Sequence, residues 1–248
     1  MPSIGQAKRI LILGSAPDAV SARAWKSQPF DCIVAINNAW QIRPDWDDLI
    51  FPYDFPDASK PTDIQPDQRW VTEDDFVPVQ NDFGGFVYAG ATMAFTAAYW
   101  VLGHYRPTQI SFLGCNMWYP KGETTHFYGS GIADPLRDDI TLMSLEAKSS
   151  RLYAMAQVAG CALSNLSRGP SRLTCPLRKF QGPEPAPYVV DQEAVHKALM
   201  RERTLGYYVP SGRYWQELER FDVEELQALD QMWLAAVSRR AAAATAAE

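Results

Sequence analysis

Two short runs decide how this sequence folds: Arg9-Ile-Leu-Ile-Leu-Gly14 and Asp31-Cys-Ile-Val-Ala-Ile-Asn37. Each is continuously apolar and rich in β-branched residues, and each ends in a turn residue. A strand half-exposed to water would alternate apolar with polar positions, so an unbroken apolar run of this length reads as a strand buried on both faces. Pro17 stands where the first residue of a helix is expected, placing a helix near residues 18–25 between the two strands. A third strand is expected at Leu49-Ile-Phe-Pro-Tyr53, closed by Pro52.

Working outward, residues 55–85 are rich in Pro, Asp and Gln with little periodicity and read as irregular connection, with a short strand near Trp70-Val71. Residues 91–102 are nearly all small or apolar and end at Gly103, which fits a buried helix with a glycine cap. The strand Gln109-Ile-Ser-Phe-Leu-Gly114 follows. Asp138 or Asp139 is placed to cap a helix running to Gly160, and Cys161-Ala-Leu-Ser-Asn-Leu166 closes the series. Strands alternating with helices imply parallel pairing with helices on both faces of the sheet. The expected fold is α/β: a single Rossmann-like domain over residues 1–180, with a mostly parallel sheet flanked by helices. Residues 181–248 read as a linker and helical C-terminal extension. In that extension Asp222-x-x-Glu225 opens a helix whose Leu226, Leu229, Trp233 and Val237 form an apolar stripe, with Arg239 and Arg240 at its C-terminal dipole end. The stripe has two uses, docking on the main domain or pairing with a second subunit in a homo-oligomer.

Composition removes several function classes. The net charge of −6 offers no broad basic surface, which speaks against duplex nucleic acid as a partner. The four cysteines form no C-x-x-C pair, so neither a disulfide framework nor a zinc site is suggested. Met1 to Arg9 holds no apolar run of signal-peptide length, and no stretch reaches the ~18 apolar residues of a membrane span. The expectation is a cytoplasmic protein with no transmembrane segment.

In an open parallel sheet, ligands bind beyond the carboxyl ends of the strands. Gly14, Ser15 and Ala16 follow the first strand and lead into a helix start, where backbone N–H groups and the Ser15 hydroxyl are suited to an anion or a sugar hydroxyl. A tight strand-to-helix turn would need Gly14 equally. A dinucleotide fingerprint wants G-x-G-x-x-G and an acid after the second strand, whereas here one glycine is followed later by Asn37-Asn38, which argues against NAD. Two adjacent amides suit a base edge or a ribose hydroxyl, or simply form an Asx turn. The loop Cys115-Asn-Met-Trp-Tyr119 continuing to Lys121-Gly-Glu-Thr-Thr-His126-Phe-Tyr-Gly129 is the densest in chemistry, with Asn116, Trp118, Tyr119 and His126 as candidates. His126 has three readings: general base, hydrogen-bonded structural histidine, or metal ligand. Asp45-Trp-Asp47 matches the D-x-D pattern of metal-dependent glycosyltransferases, but short acidic matches arise easily by chance, and no metal is assigned.

Taken together, Gly14-Ser-Ala-Pro17, the strand ending in Asn37, the small-residue helix ending in Leu102-Gly103, Gly114-Cys-Asn-Met-Trp118 and His126-Phe-Tyr-Gly129 resemble, in order and spacing over residues 8–178, the bacterial lipooligosaccharide sialyltransferases and their relatives. The sequence departs from that pattern at Gly90-Ala91-Thr92, where the family has a Ser/Thr-Ser-Gly helix start. Asn116 stands for an aspartate and Trp118 for a tyrosine. The resemblance implies transfer of a sugar from a CMP-linked donor to a carbohydrate acceptor hydroxyl with no required cofactor. It assigns the base to His126 and nucleotide contacts to Ser15, Asn37 and Asn116. The alternative is a nucleotide-binding protein without transfer chemistry.

Overall fold

A computed structural model describes residues 9–26, 28–120, 124–130 and 137–241, the side chains of 240 and 241 excepted. Lys121 and Glu123 of the dense loop, the side chain of Arg240, the first eight residues and the alanine-rich end lie outside the described residues.

Six strands form one all-parallel sheet: β1 (Arg9–Leu13), β2 (Cys32–Ile36), β3 (Asp48–Ile50), β4 (Arg69–Val71), β5 (Gln109–Leu113) and β6 (Ala162–Asn165). Their order is β4-β3-β2-β1-β5-β6. The chain therefore steps outward from β1 to β4, then crosses back to build β5 and β6 on the other side of β1. Ile10 pairs with Cys32 of β2 and with Ile110 of β5, which makes β1 and its neighbours the centre of the sheet. This is an α/β Rossmann-like domain, as the two opening runs require.

The apolar runs are continuous because the two faces belong to two different cores. Ile10, Ile12, Cys32, Val34 and Ile36 point to the face covered by α-helices. Leu11, Leu13, Ile33 and Ala35 point to the other, covered by 3₁₀ segments at Pro17–Ala24 and Asn37–Gln41. Helices lie on both faces, but those of the second face are short and tightly wound. Burial of an aliphatic side chain is worth roughly 1.5–3 kcal/mol, so filling both faces holds the central strands in the interior of the domain.

On the thick face, α1 (Glu73–Asp82), α2 (Phe86–Ala89) and α3 (Met93–Tyr105) bridge β4 and β5, and α4 (Leu145–Val158) bridges β5 and β6. Several sequence expectations need correction here. Residues 73–82 are helical, opened by a capping box in which Thr72 and Asp75 satisfy each other's backbone N–H groups. Gly103 lies within α3, and the left-handed cap falls on Arg106. The helix expected from Asp138 or Asp139 is broken: Asp139 caps a 3₁₀ turn at Ile140–Leu142, and Ser144 restarts the chain as α4.

Beyond residue 181 the chain adds β7 (Tyr188–Val190), α5 (Gln192–Leu205), α6 (Val223–Ala236) and β8 (Val237–Ala241), with β7 and β8 antiparallel. Asp222 caps α6, and Leu226, Leu229 and Trp233 are buried in the same core as α3 and α4. Arg239 does not serve the helix end, because α6 stops at Ala236; its guanidinium reaches Thr174 Oγ1 at 3.2 Å. Two buried ion pairs tie these helices to α4: Lys148 to Asp230 at 3.0 Å, and Arg151 to Glu202 at 2.7 Å. No helix among the described residues is long and apolar enough to cross a membrane.

Candidate functional site

The strand order reverses between β1 and β5, and the crevice that ligands use in such sheets opens there. At its floor Gly14 and Gly114 touch. Gly14 N–H donates to the Leu113 carbonyl at 2.8 Å, and Ala16 N–H donates to the Gly114 carbonyl at 3.0 Å. A Cβ on Gly14 would stand 2.3 Å from the Gly114 oxygen, and Gly114 itself adopts φ +74°. Glycine is demanded at both positions by backbone approach.

This geometry changes the reading of the Gly14-Ser-Ala-Pro17 turn. Two of its N–H groups are already committed to β5, and Pro17 has none to give. Ala16 does not line the cleft. Ser15 does, and its carbonyl accepts Phe127 N–H at 2.9 Å, which ties the histidine loop to the end of β1.

Above this floor is a cleft of about 1280 Å³, lined by residues from the ends of β1, β2, β3 and β5 and from the C-terminal segment. His126 lines it and is 8% exposed. Reciprocal backbone bonds of 3.0 Å between His126 and Gly129 close a tight turn that holds the ring, which stacks on Tyr128 at 5.0 Å. Nδ1 bonds Thr125 Oγ1 at 2.9 Å, and Nε2 has no partner among the described residues. Burial lowers the His126 pKa below the ordinary histidine value, so the ring is neutral at pH 7. A neutral imidazole with one nitrogen held and the other open can accept a proton.

Asn37 also lines the cleft. Its φ of +50° is a conformation asparagine tolerates better than most residues, which explains its place at the start of the 3₁₀ turn. The turn leaves its Oδ1 buried and without a partner among the described residues, a donor-seeking group at the site. Asn38 turns away and accepts from Gln41 at 3.3 Å. Asn116 is 7% exposed with an unpartnered Oδ1, but its neighbours Cys115 and Met117 line the cleft and it does not. Tyr119 lines the cleft with its ring 6.0 Å from that of His126, whereas Trp118 is off the cleft and half exposed. Burial pushes the Cys115 thiol far up, so it is no nucleophile at neutral pH.

The opposite wall was not legible from local sequence. It comprises Arg137, Asp139 and the segment from Ser211 to Gln216. Tyr214 OH donates to Asp139 Oδ2 at 2.6 Å, and Arg137 bonds both groups, at 3.1 Å to Tyr214 and 3.0 Å to Asp139. Burial would raise the Asp139 pKa, but hydrogen bonds from Thr141 and Tyr214 and the Arg137 charge outweigh it and hold the carboxyl below its ordinary value. Pro210-Ser-Gly-Arg-Tyr-Trp215 does share a signal with the dense loop, aromatics and a cation beside turn residues. Asp54, Glu73 and Asp74 line the side nearest β3.

The acidic D-x-D pattern lies at the other end of the sheet, before β3 begins. Asp45 is paired with Arg43, and Asp47 accepts Ile33 N–H at 2.6 Å, so both carboxylates have structural tasks. Among the described residues no group of three or more His, Cys, Asp or Glu side chains is placed to hold a metal. No protein-family model, curated protein or solved structure matches this chain.

Proposed function

We propose that this chain is a glycosyltransferase that takes a sugar from a nucleotide-linked donor, CMP-linked by preference, and passes it to a carbohydrate hydroxyl. The observation that carries this reading is His126: a buried, neutral imidazole, fixed through Nδ1 and with Nε2 unpartnered among the described residues, on a cleft at the strand-order reversal. When Nδ1 holds the hydrogen and donates it to Thr125 Oγ1, Nε2 presents the lone pair. The acceptor O–H then loses its proton to Nε2 as its oxygen bonds the anomeric carbon, and the bond from that carbon to the donor phosphate breaks, the nucleotide leaving with the electron pair. Positioned general bases contribute about 10² to 10⁴ in rate.

Two further features support the reading. At about 1280 Å³ the cleft exceeds the roughly 300–1,000 Å³ typical of a single small ligand, leaving room for donor and acceptor together. The unpartnered Asn37 Oδ1 offers an acceptor to a ribose hydroxyl or a base amino group.

The test pairs binding with turnover. CMP and CMP-linked sugars should raise the melting temperature of the wild-type protein while NAD does not. His126→Ala should keep nucleotide affinity within a few fold and slow donor turnover about a hundredfold or more. Wild-type protein that binds nucleotide yet turns over no sugar nucleotide would leave a non-catalytic nucleotide-binding protein as the answer.

A further inference from the structure

The cleft is electrically divided. Its β3 side carries Asp54, Glu73 and Asp74; its far wall carries Arg137 and Arg213, with Asp139 between the arginine-bearing segments. Four carboxylates against two guanidiniums make most of the cleft hostile to an anion. The turn after β1, where a phosphate is usually held, has committed the N–H groups of Gly14 and Ala16 to β5.

The far wall, by contrast, pins the backbone that carries Arg213. Gly212 adopts φ +72° and packs so closely that a Cβ would meet Phe86 at 3.0 Å and Val77 at 3.2 Å. Asn81 Nδ2 donates to the Pro210 carbonyl at 2.8 Å, anchoring the segment to α1. Tyr214 is buried against Phe86. With Gly212 and Tyr214 both pinned inward, Arg213 between them is exposed. Its guanidinium has no hydrogen-bond or ion-pair partner among the described residues. The Arg137 guanidinium meets the same wall through the Tyr214 hydroxyl.

We infer that Arg213 forms the anion subsite of this cleft and receives the phosphate or carboxylate oxyanion of the ligand. A guanidinium presents a planar fork matched to such oxygens. The acidic β3 side repels the same group, so the ligand lies in one direction, its anion toward Arg213 and its uncharged hydroxyl-bearing end toward Asp54 and Glu73. The inference rests on the nucleotide-sugar reading for the identity of the ligand, but the subsite is a property of the wall.

Calorimetric titration of wild type, Arg213→Ala and Arg213→Lys with CMP, cytidine, inorganic pyrophosphate and N-acetylneuraminate tests it, with circular dichroism confirming that each variant is folded. Charge-assisted bonds of this kind are worth enough that Arg213→Ala should weaken the charged ligands about tenfold or more, with Arg213→Lys intermediate and cytidine unchanged. An effect on CMP and pyrophosphate identifies a phosphate subsite; an effect on N-acetylneuraminate alone identifies a sugar-acid subsite. Arg213→Ala protein that binds CMP, pyrophosphate and N-acetylneuraminate all as well as wild type does overturns the inference while leaving the nucleotide reading intact. Wild-type protein that binds none of the charged ligands overturns both.

Discussion

Replacing Glu202 by leucine removes the carboxylate on which the C-terminal helices are hung. Oε1 accepts from Arg151 Nε at 2.7 Å and from Trp233 Nε1 at 2.9 Å, and Oε2 accepts from Arg151 Nη2 at 2.8 Å. Arg151 is 1% exposed, so once Glu202 is gone a guanidinium stays buried with only Tyr99 OH and the Phe83 carbonyl to answer it. Burial alone would lower the Arg151 pKa; the Glu202 charge reverses that and raises it, a measure of how far the pair depends on itself. Breaking one side of a buried pair costs about 3–5 kcal/mol. Against a total stability of about 5–15 kcal/mol, this is a large share. Urea unfolding followed by far-UV circular dichroism and tryptophan fluorescence should show one cooperative transition at a much lower midpoint. The double variant Arg151→Met with Glu202→Leu should recover part of the loss, because neither charge is then stranded. A Glu202→Leu protein within about 1 kcal/mol of wild type would refute the energetic reasoning. Helix lost ahead of the sheet would show that α5 and α6 fold as a separate unit.

The histidine site makes a pH prediction. The folded-state pKa of His126 lies below its ordinary value, so between the two the unfolded chain binds more protons and stability rises with pH. The contribution is complete above about pH 6.5 and is lost as pH falls below it. His104 is shifted the same way, by burial and the Arg69 charge, so His126→Asn should flatten only part of the slope between about pH 5 and 7 in urea midpoints; an unchanged slope would mean the ring is not desolvated. At the cleft floor, Gly14→Ala should destabilise by about 1–3 kcal/mol and weaken nucleotide binding, since the new methyl meets the Gly114 carbonyl. Wild-type stability in that variant would show that β1 and β5 can part without cost.

The sheet was legible because its central strands have no polar face to disguise them: every residue of Cys32–Ile36 is buried. α1 was hidden by its composition, for Glu73-Asp-Asp-Phe-Val-Pro-Val-Gln-Asn-Asp82 buries only Phe76 and Gln80 and carries Pro78, yet Thr72 with Asp75 was a readable cap. α5 escaped because one of its inward positions is Glu202, whose partner is on another helix. For the site, His126, Tyr119, Ser15 and Asn37 follow strand ends and could be named from order alone. Arg213 could not. Its segment carries aromatics and a cation beside turn residues, but contacts such as that between Asp139 and Tyr214, 75 residues apart, bring it to the cleft, and those leave no local pattern.

The strand-order reversal also dictates when the cleft can exist. β1 finds β2 after a short excursion, Ile10 opposite Cys32, but it finds β5 only across a hundred residues, Arg9 opposite Gln109. Closing the longer loop costs more chain entropy, and non-local pairings form slowly. As the chain leaves the ribosome, β1 to β4 can assemble while one flank of β1 still shows bare backbone N–H and C=O groups, the kind of edge that recruits a stranger's strand. A sheet of β1 to β4 formed before β5 pairs would have a sticky border and no binding site. The protein's yield in a cell should therefore depend on how well that border is shielded during synthesis.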